Sequence, residues 1–224
     1  MSGGVWMSSV LNPAGLGNKQ GSRTKFYGEK WNPADFILPV PPPAVMDALK
    51  RYKQGYRLER TELPEAEAVW NEKRFATRRE LFFVGPFFAV QGKLARTLAS
   101  FNLGDGGLIP FTIYQADLET PYPGEFFLLN FGCIKKTILP EQCEDATKFL
   151  VRKATGVQVW HINDFKPDGE VVLSEQALVG PDLWFEEAAH NKIFMSDALA
   201  QALINIGMGD VFKLKRCRIS GDAA

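Results

Sequence analysis

Apolar residues recur at helical spacing along residues 94–105, "LARTLASFNLGD", and again along residues 199–210, "LAQALINIGMGD". In the later run Leu199, Leu203 and Ile206 stand at i, i+4 and i+7, which places them on one helix face. Ser196 supplies an N-cap, and Gly207 followed by apolar Met208 predicts a Schellman ending that covers Leu203. In the earlier run Asn102 occupies the place of Gly207, because Asn also tolerates the left-handed conformation, and Leu103 is set above Leu98. Short apolar strands flank both helices: "FFAV" and "GGLIPFTIY" around the first, "KIFM" and "VFKLKRCRI" around the second. The pattern predicts strand, helix, tight turn and strand, used twice. The last strand changes phase between Leu214 and Cys217, which predicts a bulge near Lys215 and Arg216.

The remaining pattern is less regular. "WNPADFILPVPPP" (residues 31–43) reads as extended chain, with a PxxP spacing at Pro39 and Pro42 and with Pro43 opening a helix "AVMDALKRYK" that puts Val45, Leu49 and Tyr52 on one face. "PEAEAVWNEKRFATRRE" (residues 64–80) reads as a second helix, acidic early and basic late, whose Lys73, Arg74, Arg78 and Arg79 form a solvated end. "LFFVGPFFAV" is strand-like and is bent or divided at Gly85–Pro86. "GEFFLLNFGCIKKTIL" reads as one long buried strand, and "GVQVWHINDFKPDGEVVLSEQAL" as a hairpin turning at Pro167, Asp168 and Gly169. Strands and helices do not alternate regularly. The expected fold is therefore α+β, a mixed or antiparallel sheet with helices containing two similar strand–helix–turn–strand units, and not a doubly wound parallel sheet. The expected divisions are a mobile tail over residues 1–23, where Gly, Ser and Asn outnumber apolar anchors, an extended Pro-rich segment with two helices over 24–80, and an α+β body over 81–224.

Bulk composition narrows the picture little. Hydrophobic residues make up 46% of 224, and 26 basic residues balance 26 acidic ones, so no net field points to nucleic acid or a membrane surface. Cys133, Cys143 and Cys217 are odd in number and widely spaced, which argues against a disulfide framework or a zinc site. The opening "MSGGVWMSSVLNPAGLGNKQGSR" has no basic segment followed by an apolar core, and no run of 18 apolar residues occurs. A cytoplasmic protein that binds no membrane is the expectation.

The chemistry-bearing residues are few. His161, in "VWHINDF", shares a strand face with Asn163 but is tied to no nucleophile; His190 follows Glu186 and Glu187 at helical spacing, one quarter of a di-iron pattern whose other quarters are absent. Cys217 lies between Arg216 and Arg218, which would lower its pKa at an exposed position. Nucleophile-elbow, zinc-protease, P-loop and dinucleotide-binding motifs are all missing, and "NLGDGG" follows a helix where a phosphate loop precedes one. No catalytic, metal or cofactor site is expected. The alternative readings are a small enzyme using Cys217 or His161, and an adaptor protein of a secretion apparatus.

"NKIFMSDALAQALINIGMGDVFKLKRCRI" (residues 191–219) resembles the C-terminal signature of a family of bacterial polymorphic-toxin immunity proteins, immunity-protein family eleven. "DLWFEEAAHNK" resembles the strand and turn that introduce that signature, and "FFLLNFGCIKK" is similar to the middle of the family; residues 1–80 carry no resemblance. What the resemblance implies is a stoichiometric inhibitor that binds and neutralises a cognate toxin encoded nearby, in the setting of type VI secretion and interbacterial competition, with a homodimer as a possible assembly. Such an inhibitor calls for nanomolar binding, about −12 kcal/mol, over roughly 1,600 Å². Trp160, Asp164, Trp184, Glu186 and Glu187, aromatic and charged residues near turns, are the candidate partner-binding residues.

Overall fold

The computed structural model describes residues 3–11, 21–31, 42–164 and 167–221. Within these the protein is an α+β mixture of mixed sheets. The chain divides into two compact units, one made of residues 13–100 and 106–131 and the other of residues 1–12, 101–105 and 132–224. The proposed PxxP pair lies partly outside the described residues, since Pro39 is not among them.

The second unit contains β1 (Val5–Ser8), and this strand overturns the expectation of a tail over residues 1–23. Val5 and Met7 are wholly buried, and the Trp6 indole donates to Asp197 Oδ1 at 2.8 Å. The alternation of Val5 and Met7 is the period of a half-buried strand, and four residues sufficed once neighbours on both sides completed the ladder.

The first unit begins with β2 (Ser22–Lys25) and, after α1 (Pro43–Tyr52), continues with β3 (Ala66–Val69), short α2 (Glu72–Phe75), β4 (Leu81–Val84), β5 (Phe87–Gln91), α3 (Gly92–Ala99), β6 (Gly107–Tyr114) and β7 (Phe126–Asn130). Its sheet order is β2-β3-β6-β7-β5-β4, with β3 and β6 parallel and every other pair antiparallel. Pro43 opens α1 as expected, with Val45 and Tyr52 buried. The Tyr52 hydroxyl donates to Leu129 O at 2.8 Å and accepts from Phe88 N at 3.2 Å, and its ring meets Phe87 edge-on and Phe131 at a tilt. The helix expected over residues 64–80 is replaced by β3, whose four residues are all buried, and by a one-turn α2 capped by Asn71. Tertiary pairing outweighed the helical preference of Glu and Ala there. Nor is Arg78 a solvated helix end, because its guanidinium lies over Phe75, Tyr122 and Phe126.

The second unit continues with β8 (Ile134–Lys135), β9 (Thr147–Val151), β10 (Gln158–His161), β11 (Val172–Leu173), β12 (Leu183–Glu186), β13 (Ile193–Ser196), α4 (Asp197–Asn205), α5 (Gly209–Phe212) and β14 (Leu214–Ile219). Its main sheet runs β11-β14-β1-β13-β12-β8, with β11 parallel to β14, β8 parallel to β12, and the rest antiparallel. β9 and β10 form a separate two-stranded sheet. Three expectations fail in this unit. The long strand over residues 124–139 is interrupted between Asn130 and Ile134, so that it serves as β7 in one unit and β8 in the other. The hairpin turning at residues 167–169 does not form, because β10 pairs with β9 and β11 with β14. No bulge occurs at Lys215 and Arg216, since β1 and β14 stay in register from Leu214 to Cys217. The phase change arises earlier: Phe212 belongs to α5, and Lys213 is left-handed at φ 53° before the strand starts.

The two helix endings also differ. Gly207, at φ 78°, donates to Ile204 O at 2.9 Å, and Met208 N donates to Leu203 O at 2.8 Å, the two bonds of a Schellman motif. Asn102 does not take a left-handed conformation; Gly104 does, at φ 74°, while Asn102 Oδ1 accepts from Gly104 N at 3.0 Å in an Asx turn.

Candidate functional site

The five candidate partner-binding residues separate into two groups. Trp184 and Glu186, each 1% exposed, are core residues and cannot meet a partner. Glu186 is a structural carboxylate that accepts from Thr137 N at 2.7 Å, Ile138 N at 3.0 Å, the Thr137 hydroxyl and the Trp184 indole at 2.8 Å. Buried charge is tolerated because each oxygen is hydrogen-bonded. Lys135 completes this arrangement, its ammonium 3.6 Å from the Trp184 ring centre and donating to three backbone carbonyls, and its pKa is lowered by burial.

Trp160, Asp164 and Glu187 lie on or beside the β9–β10 hairpin. Trp160 is half-buried, its N–H donating to Ala188 O at 2.7 Å and its carbonyl accepting from His190 N at 2.9 Å, so one edge of β10 is tied down. Asp164 is held by Lys192, which is itself buried and donates to the Ser9 hydroxyl at 3.1 Å; burial lowers the lysine's pKa while the aspartate opposes that shift. Glu187 pairs with exposed Lys136 at 3.0 Å.

The residues that sequence reasoning passed over are those of β9. All five are exposed, and Phe149, Leu150 and Val151 expose 51%, 43% and 55% of their surface. The Phe149 ring packs at a tilt against His190, centroids 4.3 Å apart, and Lys148 sits 5.8 Å from the Trp160 ring centre. Among the described residues β9 pairs with β10 alone, leaving its other edge open. The legible signal was "TKFLVRKATGVQVWH", two β-branched and aromatic runs separated by a glycine-containing turn.

The enzyme candidates fare differently. Cys217 is 6% exposed, and burial pushes its thiol well up, the reverse of the activation expected from its arginine neighbours. His161 is exposed at the end of β10 with its sequence neighbour Asn163 outside the strand. Among the described residues no group of three or more His, Cys, Asp or Glu side chains gathers as a metal site, and no helix is long and apolar enough to cross a membrane. The first unit has a shallow cleft of about 240 Å³ bordered by Trp31, Tyr114 and Thr112, in which Lys25 and Glu65 pair with each other at 2.8 Å. Its ionic groups neutralise one another. No family model and no curated protein matches this chain.

Proposed function

We propose that this protein is a stoichiometric binding protein of the immunity class, which occupies a cognate toxin in the cytoplasm and prevents self-intoxication. The observation that carries the reading is β9: three consecutive apolar side chains, each about half exposed, on a strand with one edge unpaired among the described residues. Edge strands are commonly shortened, charged or covered because an open apolar edge invites association; β9 is short and carries Lys148, yet it still leaves three apolar side chains in water. A surface left in that state is suited to a partner, and the neighbouring Trp160, Asp164 and Glu187 supply a polar, partly anchored rim.

We also infer that the two units are copies of one structural unit. The strand registers of β3, β6, β7, β5 and β4 correspond to those of β11, β14, β1, β13 and β12, while β2 and β8 have no counterpart strand. Gln91 and Ser196, the residues preceding the two helices, pair with Phe126 and Val5; Phe126 and Val5 pair in turn with Phe111 and Cys217. Gln91 N donates to Glu80 O and Ser196 N to Asp182 O, both at 3.0 Å. The matching slots are filled by β7 in the first unit and by β1 in the second.

Co-expression with the product of the neighbouring toxin gene tests the function. Rescue of growth with a co-purifying complex is expected, and Phe149→Ser with Val151→Ser should weaken that complex by at least about thirtyfold, as for a hot spot of roughly 2 kcal/mol. Toxicity without rescue or complex refutes the pairing.

A further inference from the structure

The open edge of β9 has a chemical sign as well as an apolar face. From Thr147 to His161 the hairpin carries Lys148, Arg152 and Lys153 and no acidic residue, and both lysines are exposed. Arg152 N donates to Val157 O at 2.9 Å, so Arg152 faces β10 and the alternation of an antiparallel pair turns the Val151 N–H and C=O toward the open side. The open backbone edge thus lies beside exposed apolar side chains and beside positive charge. Pairing of β9 with β9 of a second copy would bring two copies of Lys148, Arg152 and Lys153 together, like charges that disfavour self-association at this edge.

We propose that the partner docks by strand addition, laying an extended segment with acidic side chains against the open edge of β9. The main-chain bonds supply the template, while apolar positions of the added strand pack beside the exposed aliphatic side chain on one face of β9 and its carboxylates are drawn to Lys148 and Lys153. Phe149 is the one aromatic side chain of the exposed strand, whereas single-stranded nucleic acid would call for a row of stacking aromatics. The docking mode rests on the binding-protein reading above, but it makes a separate prediction about sign and edge.

The experiment uses the full chain and two synthetic peptides of about nine residues, one alternating Glu with Val and one alternating Lys with Val, each ended by Pro to stop self-assembly. Calorimetry gives affinity, and hydrogen exchange locates protection. The acidic peptide should bind at least about tenfold more tightly than the basic one at low salt and slow exchange at residues 147–151. Lys148→Glu with Lys153→Glu should invert that preference, and Val151→Pro, which removes the outward donor, should abolish binding of both peptides. Equal binding of the two peptides, protection away from β9, or tighter binding of a twelve-nucleotide oligothymidylate overturns the proposal. The charge-reversed pair keeps the test independent of whether the proline variant folds. A toxin complex that survives K148E/K153E sinks the docking mode and leaves the inhibitor reading standing. Peptide binding at β9 without any toxin complex does the reverse.

Discussion

In the first unit, the slot between β5 and β6 is filled by β7, which follows β6 after about a dozen residues. In the second, the slot between β13 and β14 is filled by β1, about 185 residues before β13. The loop-closure term grows only as the logarithm of length, so the longer route costs about 2–3 kcal/mol more. A strand buried on both faces and paired on both edges returns more than that. On the proposed equivalence of the two units, local chain order was dispensable while register was kept.

Removing residues 1–11 has the largest expected effect. β13 and β14 would each lose a partner, and Val5 and Met7 would leave the core they share with Trp184, Phe194 and Cys217. Hydrogen exchange should show loss of protection over residues 193–196 and 214–219, with residues 87–91 and 126–130 still protected. A peptide of residues 3–11 added in trans should restore it. Unchanged protection in the truncated chain breaks the correspondence between β1 and β7.

The two helices give the next comparison. Leu98 and Leu203 stand at matching places and are essentially unexposed. Truncation of either to Ala should cost about 2–5 kcal/mol in denaturant unfolding, through lost transfer energy and the cavity left behind. A cost near zero at one position and several kcal/mol at the other would separate the units energetically.

How much of this was legible depended on whether a signal was local. The helices α3 and α4, their preceding strands and the Gly207 cap rest on residues within about a dozen positions of each other, and periodicity exposes such patterns. β1 was not legible because four residues in a Gly- and Ser-rich context acquire their strand character from partners nearly 190 and 210 positions away. β3 was misread for a related reason: "AEAV" has helical preferences, and only pairing with β2 and β6 makes it a strand. At the candidate site, Trp184 and Glu186 were chosen by type and proximity to a turn. Burial, which separates them from Trp160 and Glu187, is a tertiary property. Cys217 shows the same limit, since flanking arginines alternate to the other face of β14 and leave the thiol inside.

A third contrast lies where β3 and β11 meet their parallel partners. Glu67 pairs with Ile113 and Leu173 with Ile219, so one unit keeps a carboxyl where the other keeps a leucine. Glu67 is 3% exposed, its Oε2 has no hydrogen-bond partner, and burial raises its pKa to about 7 against the bonds from Ser22 and Thr24 that oppose the shift. A raised carboxyl pKa means that the folded state holds the proton more tightly than the unfolded one. The penalty is absent below about pH 4.5 and complete above about pH 7, so stability falls as pH rises through that window. The shift corresponds to about 3 kcal/mol at most. Glu67→Gln should flatten the dependence and raise stability at pH 8, measured as urea midpoints from pH 4.5 to 8. An unaltered pH profile would show that Glu67 is not the group responsible.

The smallest and sharpest contrast concerns the helix endings. Gly207→Ala introduces a Cβ at φ 78° with open space around it, so only the left-handed conformation is penalised, by about 1 kcal/mol. At the other ending the left-handed residue is Gly104, where a Cβ would come within 2.9 Å of Cys133 Cβ and 3.1 Å of Gly132 O. Gly104→Ala should therefore cost more than Gly207→Ala. Asn102→Gly separates the two stopping mechanisms directly. Were Asn102 a left-handed cap, glycine would stabilise it; as an Asx-turn acceptor for Gly104 N, its loss should cost roughly 0.5–1 kcal/mol. Asn102→Asp retains the acceptor and should be close to neutral. A melting temperature that rises with Asn102→Gly would show that both helices end in the same way after all.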